Sequence, residues 1–304
     1  MNSTLDVQAL HAELASASPP TLIHVLPEEA FAEAHIPGSR CFCVYESAFT
    51  QKVSEAFPDK GSPLVVYSLN GDTIEAETAA EKLRCAGFTQ VARLAGGLQA
   101  WLEGGGTAEG TGPPPETPLS AKFELDAARS VIFWTGRNLF NHHHGAISLS
   151  SGLAELTEGR LTAARFVIDM NSITNADLTD PAYNAMLVAH LKSDDFFATH
   201  LHPTAEFLAT EATPIAGCTS SLPNYTVHGA FTLRSETHPL EFPALIARAP
   251  DGSITAQAEF DFDRTRWGAI YGSGSFFARL GRHVVNDLVH LHLKLVFAPA
   301  VHST

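Results

Sequence analysis

Residues 64–76 read LVVYSLNGDTIEA. An apolar run stops at Ser68, a glycine-containing loop follows and a helical pattern begins, so one side chain is delivered onto a tight loop above a helix N-terminus. Backbone N–H groups and the helix dipole stabilise an anion at such a place, which suits a thiolate. A hydroxyl is far less acidic and attacks nothing without an adjacent general base. The loop of Ser68, Leu69, Asn70, Gly71, Asp72 and Thr73 offers only Asp72, which is expected to face water. Ser68 thus has a nucleophile's position without its chemistry. Could another thiol serve? Cys85 is expected on the apolar side of the following helix, buried near Leu83 and Phe88. Cys41 and Cys43 form only a C-x-C, and Cys218 stands alone. The four suggest neither a disulfide framework nor a metal knuckle, and fit reduced thiols in the cytoplasm.

Fifteen histidines invite a metal reading. His142, His144 and His190 are the candidates, near the open end of the following β-structure if the helix HLKSDDFF folds over it. No carboxylate or cysteine joins them at a recognisable ligand spacing. His290 and His292 alternate with leucines and should face solvent, while His200 and His202 precede Pro203 in an expected turn. In DRTRW, Arg264 could meet a ligand head group as a planar donor fork, or pair with Asp261 or Asp263. The YGSGSFF stretch after it reads as a bend with exposed phenylalanines. Asp126 and Asp169 read as strand-flanking residues, because neither has a partner carboxylate.

These residues sit in two halves of different texture. Up to about residue 106, short β-type runs (TLIHV, PLVVYS, QVARL) alternate with helical patterns, one of them ending at Gly87 as a left-handed cap. Such alternation predicts a parallel sheet covered by helices. The stretch around EGGGTAEGTGPPPETP reads as a linker, with 107–118 as its span. From 119 the period becomes two. Leu291, Leu293 and Leu295 share a face, as do Phe166, Ile168 and Met170, and Phe231 with Leu233. An antiparallel barrel or sandwich is expected, interrupted by a helix over Met186, Leu187 and Leu191.

Composition bounds the possible functions. The chain has 304 residues, a hydrophobic content of 45% and a formal charge of −14. It is long enough for two domains and disfavours nucleic acid as a partner. No apolar run is long enough to span a bilayer. The first residues, MNSTLDVQALHAELASASPP, lack a basic and then apolar leader pattern, so a short helix capped by Ser3 or Thr4 is expected instead of a secretion signal.

Two resemblances organise these readings. Through AHIPGSR (34–40), the loop after LVVY, AAEKLRCAGF and VARLAGGLQAW (91–101), residues 21–102 resemble a rhodanese-like domain. The resemblance implies that the Ser68 position carries the sulfur-accepting cysteine in active members. His24 and Leu26 likewise stand where that family usually has Asp and Arg. Through FELDAARSVIFWTG, GRLTAARFVIDMNSITNADL, HLKSDDFFATHLHPTAEF, VHGAFTLRSETHPLEFPA and DRTRWGAIYGSGSFFARLG, residues 119–300 resemble the YceI-like, lipocalin-like barrels that bind polyisoprenoid tails.

The expected protein therefore has an α/β rhodanese-like domain (1–106) lacking its catalytic residue, a linker, and a YceI-like β-barrel with a helical insertion (119–304). The barrel would bind, sequester or transport an isoprenoid, quinone or fatty-acyl ligand. Its expected wall is Trp134, Phe166, Ile168, Met170, Leu187, Leu191, Phe197, Phe207, Phe231, Leu233, Arg264, Trp267, Leu291, Leu293 and Leu295. No cofactor is required by this reading. The front domain would dock an unidentified protein or act in regulation, and a homodimer is an expectation carried by the second resemblance. The rival readings are a histidine-metal enzyme inside the barrel and a sulfurtransferase on a displaced cysteine.

Overall fold

The computed structural model describes residues 3–112, 120–219 and 221–300. The chain divides into two units, Met1–Glu116 and Thr117–Thr304, and each is described by itself. In the first unit the apolar runs become strands β1 (Ser3–Leu5), β2 (Thr21–His24), β3 (Arg40–Cys41), β4 (Leu64–Tyr67) and β5 (Val91–Leu94). They form one sheet in the order β1-β5-β4-β2-β3, parallel throughout. The helices between them are α1 (Val7–Leu14), α2 (Glu28–Glu33), α3 (Phe49–Ala56), α4 (Glu75–Cys85) and α5 (Gly97–Glu103).

β4 is apolar at every position because both faces of the sheet are covered. Leu64 and Val66 pack on one side with Phe49, Val53, Ala79 and Leu83. Val65 and Tyr67 pack on the other with Leu10, Leu98 and Trp101. α4 ends as expected: Gly87 takes a φ of 93° and the Phe88 N–H donates to the Leu83 carbonyl. The first cap differs from expectation. Ser3–Leu5 is drawn into the sheet, and Asp6 caps α1 by accepting from the Ala9 N–H at 2.8 Å. The start of the expected linker also packs on this unit. His35 and Glu109 exchange backbone hydrogen bonds, and the Trp101 indole donates to the Thr107 carbonyl. Residues 113–118 of that stretch lie outside the described residues.

In the second unit the period-two segments form strands β6 (Ala121–Leu125), β7 (Val131–Arg137), β8 (His142–Ile147), β9 (Leu149–Thr157) and β10 (Arg160–Asp169). After helix α6 (Pro181–Lys192) come β11 (Thr204–Pro214), β12 (Tyr225–Leu233), β13 (Glu236–Arg248), β14 (Ile254–Asp263) and β15 (Leu288–Pro299). Eight of them close an antiparallel barrel in the order β6-β9-β10-β11-β12-β13-β14-β15, with β15 returning to β6. The β7–β8 hairpin extends this wall by pairing with the first half of β15. α6 is inserted after β10 and capped by Asp180, with Pro181 in its first turn.

Every inward position anticipated from the alternation is buried: Phe166, Ile168, Met170, Phe207, Phe231, Leu233, Leu291, Leu293 and Leu295. His290 and His292 take the opposite face and meet Asp261 and Glu259. Asp126 and Asp169 flank their strands as turn caps.

Candidate functional site

The end of the barrel nearest α6 holds a cavity of about 290 Å³. Strand ends from β7, β10, β12, β14 and β15 form its walls, α6 and Phe196–Phe197 one side of its mouth, and residues 271 and 282–286 the other. Ten of the expected wall residues line it: Trp134, Ile168, Met170, Leu187, Leu191, Phe197, Phe231, Leu233, Arg264 and Leu291. Phe166, Phe207, Leu293 and Leu295 line a second, smaller cavity of about 50 Å³ deeper in the barrel. Trp267 lines neither. It is fully buried, donates its indole N–H to the Phe231 carbonyl at 3.0 Å and packs edge-on against Phe231 and Phe262. Trp267 is a structural pin.

Arg264 departs from the expectation of a rim residue or a partner of Asp261 or Asp263. It is 1% exposed, and its guanidinium donates to the carbonyls of Asn286 (3.1 Å), Tyr271 (2.8 Å), Val285 (3.2 Å) and Ala269. Its acidic neighbour is Asp287, at 3.8 Å. A planar fork of five donors matches a ring of carbonyls that no other side chain could satisfy. The residue therefore clasps the mouth loop in place while one edge of it borders the cavity.

The polar groups of the cavity gather at the mouth. His143 lines it, and its Nδ1 meets Asp177 Oδ2 at 2.8 Å. Partial burial pushes the Asp177 carboxyl upward, but hydrogen bonds from the His144 backbone N–H, His143 and Asn175 outweigh it and hold the group down at about 2. The ionised carboxylate accepts a hydrogen bond from Nδ1 of His143. His190 also lines the cavity; its Nε2 meets Asp195 at 3.1 Å and its ring stands edge-on to Phe196 and Tyr271.

The metal candidates are not brought together. His142 and His144 stack on the exposed face of β8 with ring centres 6.1 Å apart, and His190 is engaged with Asp195. Among the described residues no group of three or more His, Cys, Asp or Glu side chains is arranged to hold an ion. Among the lining residues that sequence reasoning missed, which include Ile147, Phe196, Phe262 and Tyr271, the one at the polar end is His143. Its signal was present: on β8 it shares parity with Ile147, which lines the cavity, whereas His142 and His144 take the other face.

In the first unit the Ser68 loop is closed on itself. Ser68 is 1% exposed, and its hydroxyl donates to the Asn70 carbonyl at 3.1 Å, not to a base. The carbonyls of Ser68 and Leu69 accept the first N–H groups of α5, from Leu98 and Gln99. Gly97 permits this approach, since a Cβ there would lie 2.4 Å from the Ser68 oxygen. Asp72 is exposed, as expected.

A surface hollow beside the loop is lined by Tyr45, Asp72, Glu75 and Lys82. Burial pushes the Glu75 carboxyl upward, but Thr73, its own N–H and the Tyr45 hydroxyl together bring it below its ordinary value. His24 is buried, its Nδ1 has no hydrogen-bond partner, and burial followed by the charge of His35 lowers it to about 4. The Cys41 thiol is pushed up to about 11 by burial and by the charges of Glu28, Cys43, Glu46 and Glu29. Cys85 corrects the expectation of a buried thiol: it is exposed on α4, because Ala79, Ala80 and Leu83 take the inward face.

Comparisons with known proteins bear on both units. Residues 6–104 match the rhodanese-like domain, and residues 123–297 match the YceI-like domain. Among solved structures, BcnA of Burkholderia cenocepacia is 21% identical, with a TM-score of 0.45 over 57% of this chain and 98% of its own. A polyisoprenoid binding domain from Saccharophagus degradans is 14% identical, with a TM-score of 0.42 over 60% of this chain and 99% of its own. The Alr3790 protein from Anabaena sp. is 30% identical, with a TM-score of 0.32 over 35% of this chain and 82% of its own. No curated protein matches significantly. With more than half of its length matched by the YceI-like domain, the chain belongs to the YceI-like family, and it carries a rhodanese-like domain in front.

Proposed function

We propose that the barrel takes up a small hydrophobic molecule with one polar end, in order to sequester or deliver it. The observation that carries this reading is the distribution of side chains in the 290 Å³ cavity, apolar along the strands and polar only at the mouth. An isoprenoid, quinone or fatty-acyl compound has that shape. Its tail would lie against Ile168, Met170, Phe231 and Leu291, with about 25 cal/mol gained per Å² of apolar surface removed from water. Its head would lie by His143 and His190, whose ring nitrogens can hydrogen-bond a hydroxyl, carbonyl or carboxylate. The front domain acts as an interaction or regulatory module without sulfur transfer. The inward-turned Ser68 hydroxyl, and the carboxylates of Asp72 and Glu75 beside a loop that should attract anions, support this reading.

Organic extraction and native mass spectrometry of the full chain test the proposal. A co-purifying amphiphile, or stoichiometric uptake of added prenol, quinone or fatty acid that Leu191→Trp weakens, is expected. Failure to bind any of the three probe classes overturns it.

A further inference from the structure

A row of rings lies at the boundary of the two cavities. Phe166 on β10 stacks on Phe207 of β11 with centroids 5.4 Å apart, Phe207 meets Phe242 of β13 at 5.3 Å, and Phe242 stacks on Phe260 of β14 at 4.4 Å and 9°. In the strand register Phe207 pairs with Phe231 and Phe260 with Leu291, both of which line the upper cavity, so the row lies where that cavity ends. All of its buried members face the lower cavity, and none lines the upper one. Gly229 of β12 makes room for it: a Cβ there would lie 2.3 Å from Cζ of Phe207. Two inward strand positions thus cooperate, one by lacking a side chain and the other by filling that space.

We propose that this phenylalanine row, with Phe207 at its centre, is a ruler that sets the longest tail the barrel encloses. The inference rests on the reading of the cavity as a lipid site and adds its length limit. An apolar cavity of about 150 Å³ accommodates one benzene ring, that is, six carbons. By the same measure the upper cavity of about 290 Å³ encloses about twelve carbons, and the lower one of about 50 Å³ would add about two. A tail longer than this ends against packed rings, and its excess stays in water at the mouth. The ligand class is therefore a short-tailed amphiphile, of medium-chain acyl or two- to three-isoprene length, and not a long polyprenyl chain.

The test is a calorimetric titration of the full chain with saturated fatty acids from eight to twenty carbons. Affinity should rise about fourfold per added methylene up to about twelve carbons and then level off. In Phe207→Ala the removed ring, itself benzene-sized, joins the two cavities, so the plateau should move out by about eight carbons. Where Phe207→Ala does not melt cooperatively, Phe207→Leu should show a smaller shift in the same direction. Affinity that keeps climbing through sixteen and twenty carbons in the unaltered protein overturns the ruler while leaving the binding reading intact. A plateau that does not move in a folded Phe207 variant removes Phe207 from the role. Absence of binding at every length overturns the ruler, and the binding reading falls with it only where prenol and quinone fail as well.

Discussion

His24 makes the stability of the rhodanese-like domain depend on pH in a calculable way. It ends β2 on the same face as Leu22, edge-on to Phe31 and Tyr67, with Nδ1 unpartnered. Protonation there would place a charge in an apolar setting close to His35, and the folded-state value falls from 6.5 to about 4. As pH drops below about 6.5 the unfolded chain takes the proton first, so stability is complete above that pH and drains away towards pH 4. At about 1.4 kcal/mol per unit, the gap is worth about 3 kcal/mol. His24→Leu abolishes the titration. Amide hydrogen exchange of peptides covering β2 and β4 reads the opening free energy of this domain within the intact chain. Between pH 7 and 4.5 the wild-type value should fall by about 2 kcal/mol more than that of His24→Leu. Parallel curves would refute the reasoning, because they would mean that His24 is solvated or paired in the folded state.

Ser68→Cys places a thiol on the loop above the helix N-terminus, so thiosulfate:cyanide sulfurtransfer should be absent in the wild type and detectable in the variant. Clear wild-type turnover would contradict the inactive reading. Arg264→Gln leaves several carbonyls short of donors in a buried site, and a loss of about 3–5 kcal/mol is expected. Faster hydrogen exchange confined to residues 268–287 would locate that loss. Asp177, held at about 2 against an ordinary 3.8, contributes about 2 kcal/mol that is present above pH 4 and lost as pH falls to 2. Asp177→Asn should flatten acid unfolding curves of the barrel over that window.

The architecture was legible because both units rest on strong periodicities. Uninterrupted LVVY meant a strand covered on two faces, and the alternation of LVHLHLKL assigned leucines to the interior and histidines to solvent. The inward placement of the strand residues followed from the same rule, since β-strand parity carries a side chain inward whatever its chemistry. What escaped was decided by partners distant in the chain. Arg264 is charged and adjacent to two aspartates in sequence, so an ion pair was the natural expectation. Only the fold shows it enclosed by carbonyls from 269–286. Cys85 escaped for a different reason: small alanines make up much of the buried face of α4, and a helix whose core contacts are alanines gives little contrast from which to phase its sides.

The histidine triplet shows the same limit at one residue. HHH carries no internal signal for which ring turns inward, and the choice is made by Ile147 four positions on, which anchors β8 against the barrel. Placing His143 inward then brings Asp177 to it from the segment after β10, and the backbone N–H of outward-facing His144 donates to that same carboxylate. The two neighbours therefore do complementary work from opposite faces of one strand. His144 helps keep the carboxylate ionised, and the ionised carboxylate accepts from Nδ1 of His143 and so orients its ring at the cavity. On the proposed reading, the ligand's head is met at the His143 end of the upper cavity and its tail at the phenylalanine row.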